Sequence, residues 1–139
     1  MNISILAIIV ATVVQFIIGA VWYTPLFGKL WGKIHGFDHL TPEEQKKLQK
    51  GMAPLLVTQL IMTLITTVVL AFLKTGLPPY WSVYGLAFFS WLGFVLPTQV
   101  AAVIFGHTEP KWFLKKIAVM AGGSLVCLLA AAYVLSFMG

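Results

Sequence analysis

The chain has little charge, a single cysteine and no arginine. Only 9% of its 139 residues are charged, whereas an average globular domain has about 25%. With 60% hydrophobic residues, a chain of this length cannot hide its apolar surface in a soluble core. One cysteine leaves no disulfide framework and no zinc cluster. The composition therefore excludes the soluble and the disulfide-rich classes and indicates a membrane protein.

Four uncharged runs are each long enough for the roughly 20 residues of a spanning helix. β-barrel strands would alternate in polarity, and that pattern is absent. We therefore predict an all-α, polytopic membrane protein: a four-transmembrane-helix bundle that forms a single domain over residues 1–139. The predicted helices cover approximately residues 3–24, 53–73, 82–105 and 117–137.

The first apolar run ends in the stretch Gly19–Trp31, where aromatic rings surround a proline and the first lysine follows. Amphipathic rings at headgroup depth followed by a cation are typical of a chain that leaves hydrocarbon for water. No positive charge precedes the run, so we expect a retained first helix and no cleaved signal peptide. We expect these residues to form either the cytoplasmic lip of an intramembrane cavity, with the proline as its bend, or an interfacial anchor with the proline as a helix stop: Trp22, Tyr23, Pro25, Phe27 and Trp31.

The longest hydrophilic connection, residues 25–52, contains one clear helix signal. Thr41 can cap, Pro42 suits the first helical position, and Glu44 completes a capping box. We therefore predict a short interfacial helix over about residues 42–50. Its lysines either contact anionic lipid head groups or form a solvated face.

The lysines are distributed unequally among the connections. The first and third connections hold eight, and the second holds only Lys74. By the positive-inside rule the first and third connections are cytoplasmic, and both termini are extracytoplasmic. Orientation in the membrane accounts for the positive net charge, so we expect no nucleic-acid partner.

No Asp, Glu, Lys, Arg or His lies within a predicted span, which argues against an ion-coupled carrier. Three spans instead carry one glutamine each, at depths that agree to within about one helical turn. These amides either bond neighbouring helices or line a polar cavity for a small neutral molecule. The predicted intramembrane polar site comprises Gln15, Gln59, Gln99, Thr58, Ser90, Trp91 and Thr98.

The fourth span carries a stripe of small residues, Gly123, Cys127 and Ala131, at four-residue spacing. Such a stripe allows close approach of another helix. The stripe packs either within the bundle or at a homodimer seam, and the spacing leaves both open.

The connections carry little that indicates chemistry. His35 and His39 are four residues apart, but Gly36 interrupts the pair, no helix is evident before Thr41, and a third ligand is missing. No phosphate-binding loop and no nucleophile with its base is present. We therefore predict no metal site, no cofactor and no enzymatic activity.

The order Gly19, Trp22-Tyr23, Pro25, Phe27-Gly28 and Trp31 resembles the DUF1761 family of small prokaryotic membrane proteins. Gly85, the Gly93-Phe94 pair and the segment from Phe105 to Lys111 are also similar. The resemblance implies a four-helix protein of a prokaryotic plasma (inner) membrane. It implies no substrate and no catalytic residue.

Two functions are compatible with these residues. The first is binding or passage of a small neutral or lipophilic molecule through the glutamine-level cavity. The second is a structural or accessory subunit that docks on lipids or a larger complex. Four helices enclose little space, so we expect a homo-oligomer or a larger membrane complex, with membrane lipids as further partners.

Overall fold

A computed structural model of the chain describes residues 3–139, and within that range every regular element is a helix. The α-helices of this part are α1 (Ile5–Val21), α2 (Gly28–Ile34), α3 (Pro42–Lys50), α4 (Met52–Thr75), α5 (Val83–Ser90), α6 (Leu96–Ile104) and α7 (Phe113–Met138). Five-residue π-helical turns follow α1 and α5, at Trp22–Leu26 and Trp91–Val95. Short 3-10 turns lie at Phe37–His39 and Pro110–Trp112.

These elements form four helices that are long and apolar enough to cross a membrane. We call them the first to fourth spans: Ile5–Leu26, Met52–Thr75, Val83–Ile104 and Pro110–Met138. The predicted fold class, an all-α membrane protein with four spanning helices and a short helix in the first connection, is confirmed.

The bounds of the fourth span differ from the prediction. Its α-helix begins at Phe113 rather than near Ile117, so Lys115 and Lys116 lie in the first helical turn and Lys111 lies in the 3-10 turn before it. Long lysine side chains carry their charge away from the helix while their stems remain on apolar surface, so a helix can begin among them.

Side-chain caps fix where several helices begin. Ser4 Oγ accepts a hydrogen bond from the Ala7 backbone N–H at 3.1 Å. At α3, Thr41 and Glu44 form both bonds of the capping box, and α3 covers Pro42–Lys50, the range that those two residues indicate. Each such cap satisfies a backbone N–H that the first helical turn leaves without a partner.

The helix α2 lies in a region where the sequence predicted no helix. Gly28 and Gly32 lower its helix propensity by about 1 kcal/mol each, which hides it from local reasoning. It ends at Ile34, and Gly36 two residues later has a φ of 71°, the left-handed conformation common just after a helix.

The fourth span is the centre of the arrangement. The first span packs along one side of it and the third span along another, while the second span packs mainly on the first. In an 18-residue apolar stretch of each span, 39% is buried in the fourth span, against 28% in the first, 17% in the second and 11% in the third. The outer spans therefore expose most of their surface.

Small residues allow the first and fourth spans to approach closely. Ala7 and Ala11 on the first span and Ala131 on the fourth are completely buried. They belong to one apolar cluster, to which the second span adds Leu70 and Ala71. Alanine packing of this kind is typical of membrane helix interfaces, where dispersion contacts replace the hydrophobic effect.

The ends of the bundle differ in charge. At the lysine-rich end, formed by residues 27–51 and 105–116, Lys116 Nζ lies 5.9 Å from the centroid of the Trp31 ring. At the lysine-poor end, Lys74 Nζ donates to Leu135 O at 2.5 Å, near the C-terminus of α7. A cation there stabilises the negative end of the helix dipole.

Candidate functional site

Gln15 is buried between the first and second spans. Its Nε2 donates to Thr67 Oγ1 at 2.7 Å and to Ala11 O at 3.1 Å. Thr67 is completely buried, and its own hydroxyl donates to Thr63 O at 2.8 Å. Cys127 Sγ approaches Gln15 O at 3.6 Å from the fourth span. Gln15 therefore connects three spans.

Gln59 lies on the outer surface of the second span. Its Nε2 is 3.5 Å from Thr63 Oγ1 of the same helix. The neighbouring Thr58 is also exposed, and its hydroxyl donates to Pro54 O at 2.9 Å. This face of the second span thus keeps its polar contacts within one helix.

Gln99 connects the third span to the fourth. Its Nε2 donates to Ser124 Oγ at 2.6 Å. Its Oε1 is buried and has no hydrogen-bond partner among residues 3–139. Thr98 points outward and bonds to Phe94 O at 2.6 Å, and Ser90 is half-buried.

The structure thus gives each glutamine a different neighbourhood. Gln15 lies at the interface of the first two spans, Gln99 at that of the last two, and Gln59 on the outside. No hydrogen bond joins two of these amides within residues 3–139. Gln15 and Gln99 each make an interhelical bond, which is the first of the two alternatives that the sequence left open.

Two tryptophans dock on the fourth span. Trp22 Nε1 donates to Val119 O at 2.8 Å, and Trp91 Nε1 donates to Ala121 O at 2.9 Å. In each case the tryptophan is the first residue of a π-helical turn. Each indole therefore donates its N–H to the backbone of the fourth span.

The Trp22 ring lies directly against two glycines. A Cβ atom at Gly123 would be 2.9 Å from Trp22 Nε1, and one at Gly122 would be 3.1 Å from its ring. Sequence reasoning assigned Gly123 to a packing face but missed Gly122 and the two accepting carbonyls. The adjacent glycines were the available signal. Two glycines lower the stability of a helix, so their presence within one indicates a close contact that requires them.

The small-residue stripe faces the first span. Gly123 contacts Trp22, Cys127 contacts Gln15, and Ala131 shares the cluster of Ala7 and Ala11. The structure therefore places this stripe inside the chain, which is one of the two alternatives that the spacing left open.

The predicted lip forms an aromatic cluster at the lysine-rich end. The ring centroids of Trp22 and Phe27 are 4.8 Å apart, and those of Tyr23 and Trp31 are 4.9 Å apart. Pro25 is exposed and lies inside the π-helical turn, and the first span ends one residue after it, at Leu26. The last bond of this turn, from Phe27 N–H to Trp22 O at 2.9 Å, has the five-residue spacing of a π-helix.

Two cavities lie at opposite ends of the chain. One of about 590 Å³ at the lysine-poor end is lined by Ala7, Ala71 and Lys74 among others. One of about 170 Å³ at the lysine-rich end is lined by Phe27, Leu30, Lys115, Ala118 and Val119. None of the three glutamines lines either cavity.

The histidines of the first connection are engaged separately. His35 Nδ1 is 2.9 Å from Trp31 O, and the two rings lie 4.3 Å apart. His39 Nε2 is 3.9 Å from Asp38 Oδ1. Across the described residues, no three side chains of the metal-binding types come together.

The four apolar spans and their interhelical contacts define an α-helical membrane protein. Comparison with known families gives a match over residues 6–136, nearly the whole chain, to a family described as "Protein of unknown function (DUF1761)". The chain belongs to the DUF1761 family. Comparison with curated proteins and with solved structures gives no match.

We predict that Gly123→Ala destabilises the protein by about 1 to 3 kcal/mol, because the added methyl must displace the Trp22 indole. Reversible unfolding in mixed detergent micelles measures this change. Gly19→Ala is the matched control: no atom lies within 4 Å of its added Cβ, so it should be neutral or slightly stabilising. Equal losses in both variants would contradict the docking of Trp22 on Gly123.

We predict that Gln15→Leu and Thr67→Val are energetically coupled, because each removes the same interhelical bond. A double-mutant cycle should give a coupling energy of about 0.6 kcal/mol and no more than about 1.7 kcal/mol, the mean and the maximum for hydrogen bonds between membrane helices. Gln15→Leu combined with Thr58→Val should be additive, because the Thr58 hydroxyl bonds only its own helix. Additivity in the first cycle would show that this bond contributes nothing measurable.

Proposed function

We propose that this protein is a non-catalytic structural or accessory membrane subunit that self-associates through its second span. The observation that carries the proposal is the exposed amide of Gln59, which has only a 3.5 Å contact with Thr63 of its own helix. In hydrocarbon an amide without good partners costs free energy, so it favours a neighbouring helix that supplies them.

The surface around Gln59 supports this proposal. From Met52 to Thr66 every residue is exposed except the half-buried Thr63. The hydroxyls of Thr58, Thr63 and Thr66 donate to carbonyls four residues earlier, at 2.9, 2.8 and 3.0 Å. These threonines therefore need no partner for their hydrogens, and Gln59 is the residue of this half-span with unmet bonding capacity.

A second copy of the chain is the partner that fits best. A two-fold axis along the membrane normal brings each Gln59 opposite its symmetry mate at the same depth. A carboxamide is both donor and acceptor, so two of them can form a reciprocal pair.

The total surface is consistent with such an interface. The chain exposes 9226 Å², whereas a compact soluble monomer of this mass would expose about 7,100 Å². The excess of about 2,100 Å² is larger than the roughly 600 to 1,000 Å² that one partner contributes to a standard interface, so the chain has enough surface for one.

A second candidate function is binding of a small neutral or lipophilic molecule near the third and fourth spans. The unpartnered, buried Oε1 of Gln99 favours it, because a hydroxyl or amide donor could satisfy that atom. Gln15 already has protein partners and Gln59 lies outside, so such a site would centre on Gln99 and Ser124.

We further propose that the lysine-rich end faces the cytoplasm of a prokaryotic cell and that the protein lies in the plasma membrane. Eight of the nine lysines belong to that end, and only Lys74 to the other. This bias follows the positive-inside rule and would leave both chain ends outside.

We predict that Gln59→Leu weakens self-association by about 1 to 2 kcal/mol, the amount expected for two symmetry-related interhelical bonds. Sedimentation equilibrium in a density-matched neutral detergent measures it. Thr98→Leu is the matched control: it also removes an exposed polar group from a span, but its hydroxyl bonds Phe94 O.

A monomeric wild-type protein, or a dimer that Gln59→Leu leaves unchanged, would overturn the proposal. A single cysteine at position 63, in a Cys127→Ala background, should cross-link between copies, whereas one at position 98 should not. A small molecule that co-purifies with wild type and Gln59→Leu, but not with Gln99→Leu, would favour the second candidate.

The orientation has its own test in intact cells. In the Cys127→Ala background, we expect Tyr80→Cys to react with a membrane-impermeant maleimide and His39→Cys to react only after lysis. Both positions are exposed, and neither substitution removes a lysine. The reverse labelling pattern would contradict the proposed orientation.

A further inference from the structure

The smaller cavity is a groove that combines apolar walls with one cation. It has a volume of about 170 Å³ and runs between α2 and the beginning of α7. Phe27 and Leu30 line one side, Ala118 and Val119 the other, and Lys115 is the charged residue of its lining. We call this feature the basic groove.

Lys115 is the lysine that lines the groove, and no ion pair within residues 3–139 offsets its charge. Lys111 forms an ion pair with Glu109 at 3.2 Å, and Lys116 Nζ donates to Thr108 Oγ1 at 3.2 Å. Lys115 Nζ lies 5.4 Å from the Trp112 ring centroid and forms no ion pair within residues 3–139. A cation over an aromatic face is held in place without losing its charge.

The position of Lys115 in the helix adds to the excess of positive charge at the groove. It lies in the first turn of α7, where the helix dipole is positive and a lysine is unfavourable. Lys111 Nζ lies 5.6 Å from the same Trp112 ring, so both ammonium groups adjoin one indole. An anion placed here would be attracted by Lys115 and by the helix terminus together.

The dimensions of the groove restrict what can be attached to the anionic group of a ligand. Sites for drug-sized molecules are about 300 to 1,000 Å³, so the groove is too small for a bulky organic ligand. Its apolar walls suit a slender hydrocarbon chain, and the aromatic cluster beside it is of the kind found at headgroup depth. An anionic head joined to a narrow apolar tail fits both features.

We propose that the basic groove binds one anionic glycerophospholipid, with its phosphate at Lys115 and part of an acyl chain against Phe27, Leu30 and Ala118. The site uses no residue of the second span. It therefore does not depend on self-association through Gln59.

Native mass spectrometry of the protein in a neutral detergent tests the site, with phosphatidylglycerol and phosphatidylcholine of identical chains added in equal amounts. We expect one phosphatidylglycerol adduct to predominate on wild type. Lys115→Gln should weaken it roughly five-fold, since one lysine contributes about that factor at an anionic surface. Lys46→Gln on α3 removes the same charge away from the groove and should leave the adduct unchanged.

A second variant tests the apolar wall without changing any charge. Ala118→Trp fills the groove and should abolish the adduct, and the milder Ala118→Leu should reduce it. Circular dichroism and gel filtration verify that both variants remain folded, and Lys115→Arg should retain binding. Glycerol 3-phosphate, which has the anion but no acyl chain, should not compete.

Four outcomes would overturn the proposal. They are equal adducts with phosphatidylcholine, an equal loss in Lys46→Gln, retention of the adduct when Ala118 is enlarged in a folded protein, and effective competition by glycerol 3-phosphate. The second outcome would indicate diffuse attraction of lipid to the lysine-rich end. The last would indicate a site for free phosphate compounds.

Discussion

The close approach of the first and fourth spans is the contact on which the rest of the structure depends. Fully buried alanines from both helices lie at one end of this contact, and the Trp22 ring against Gly122 and Gly123 lies at the other. The second span packs mainly on the first and the third on the fourth, so each outer span depends on this central pair. In lipid, where apolar side chains gain nothing by leaving water, such tight backbone packing supplies much of the association energy.

Several polar side chains inside the spans bond across these same helix contacts, whereas threonines such as Thr58 and Thr98 bond within their own helix. Gln15 reaches Thr67, Gln99 reaches Ser124, and the two indoles reach carbonyls of the fourth span. Each bond also fixes the rotation of one helix against another, because a side chain reaches its partner from only one face. Gln59 lies outside this network, and the proposed role in self-association rests on that difference.

The membrane architecture could be predicted from the sequence because it follows from run length and charge alone. A lipid-exposed backbone must bond internally, so four long apolar runs predict four helices. The capping residues Thr41 and Glu44 likewise indicate α3, because the N-terminal bonds of a helix are local. These predictions need no knowledge of which helix contacts which.

The glutamine partners could not be predicted in the same way. Sequence gives the depth of Gln15, Gln59 and Gln99 along their helices, but packing decides which way each faces. Equal depth therefore suggested a convergence that the hydrogen bonds do not show. The helix α2 was missed for a related reason, because its glycines weaken local propensity while contacts such as Tyr23 with Trp31 hold it.

The π-helical turns at Trp22 and Trp91 have a consequence for how this fold tolerates changes in length. A π-helical turn contains one residue more than the α-helix would, so each span carries an inserted residue at the position where its indole binds. Loss of that residue would restore the α-helical register and rotate everything beyond it by about 100° relative to the indole. In the first span this rotation would carry α2 and the Leu30 wall away from α7. The number of residues between Trp22 and Leu30 therefore determines how α2 packs on α7. A deletion there would be more damaging than most substitutions.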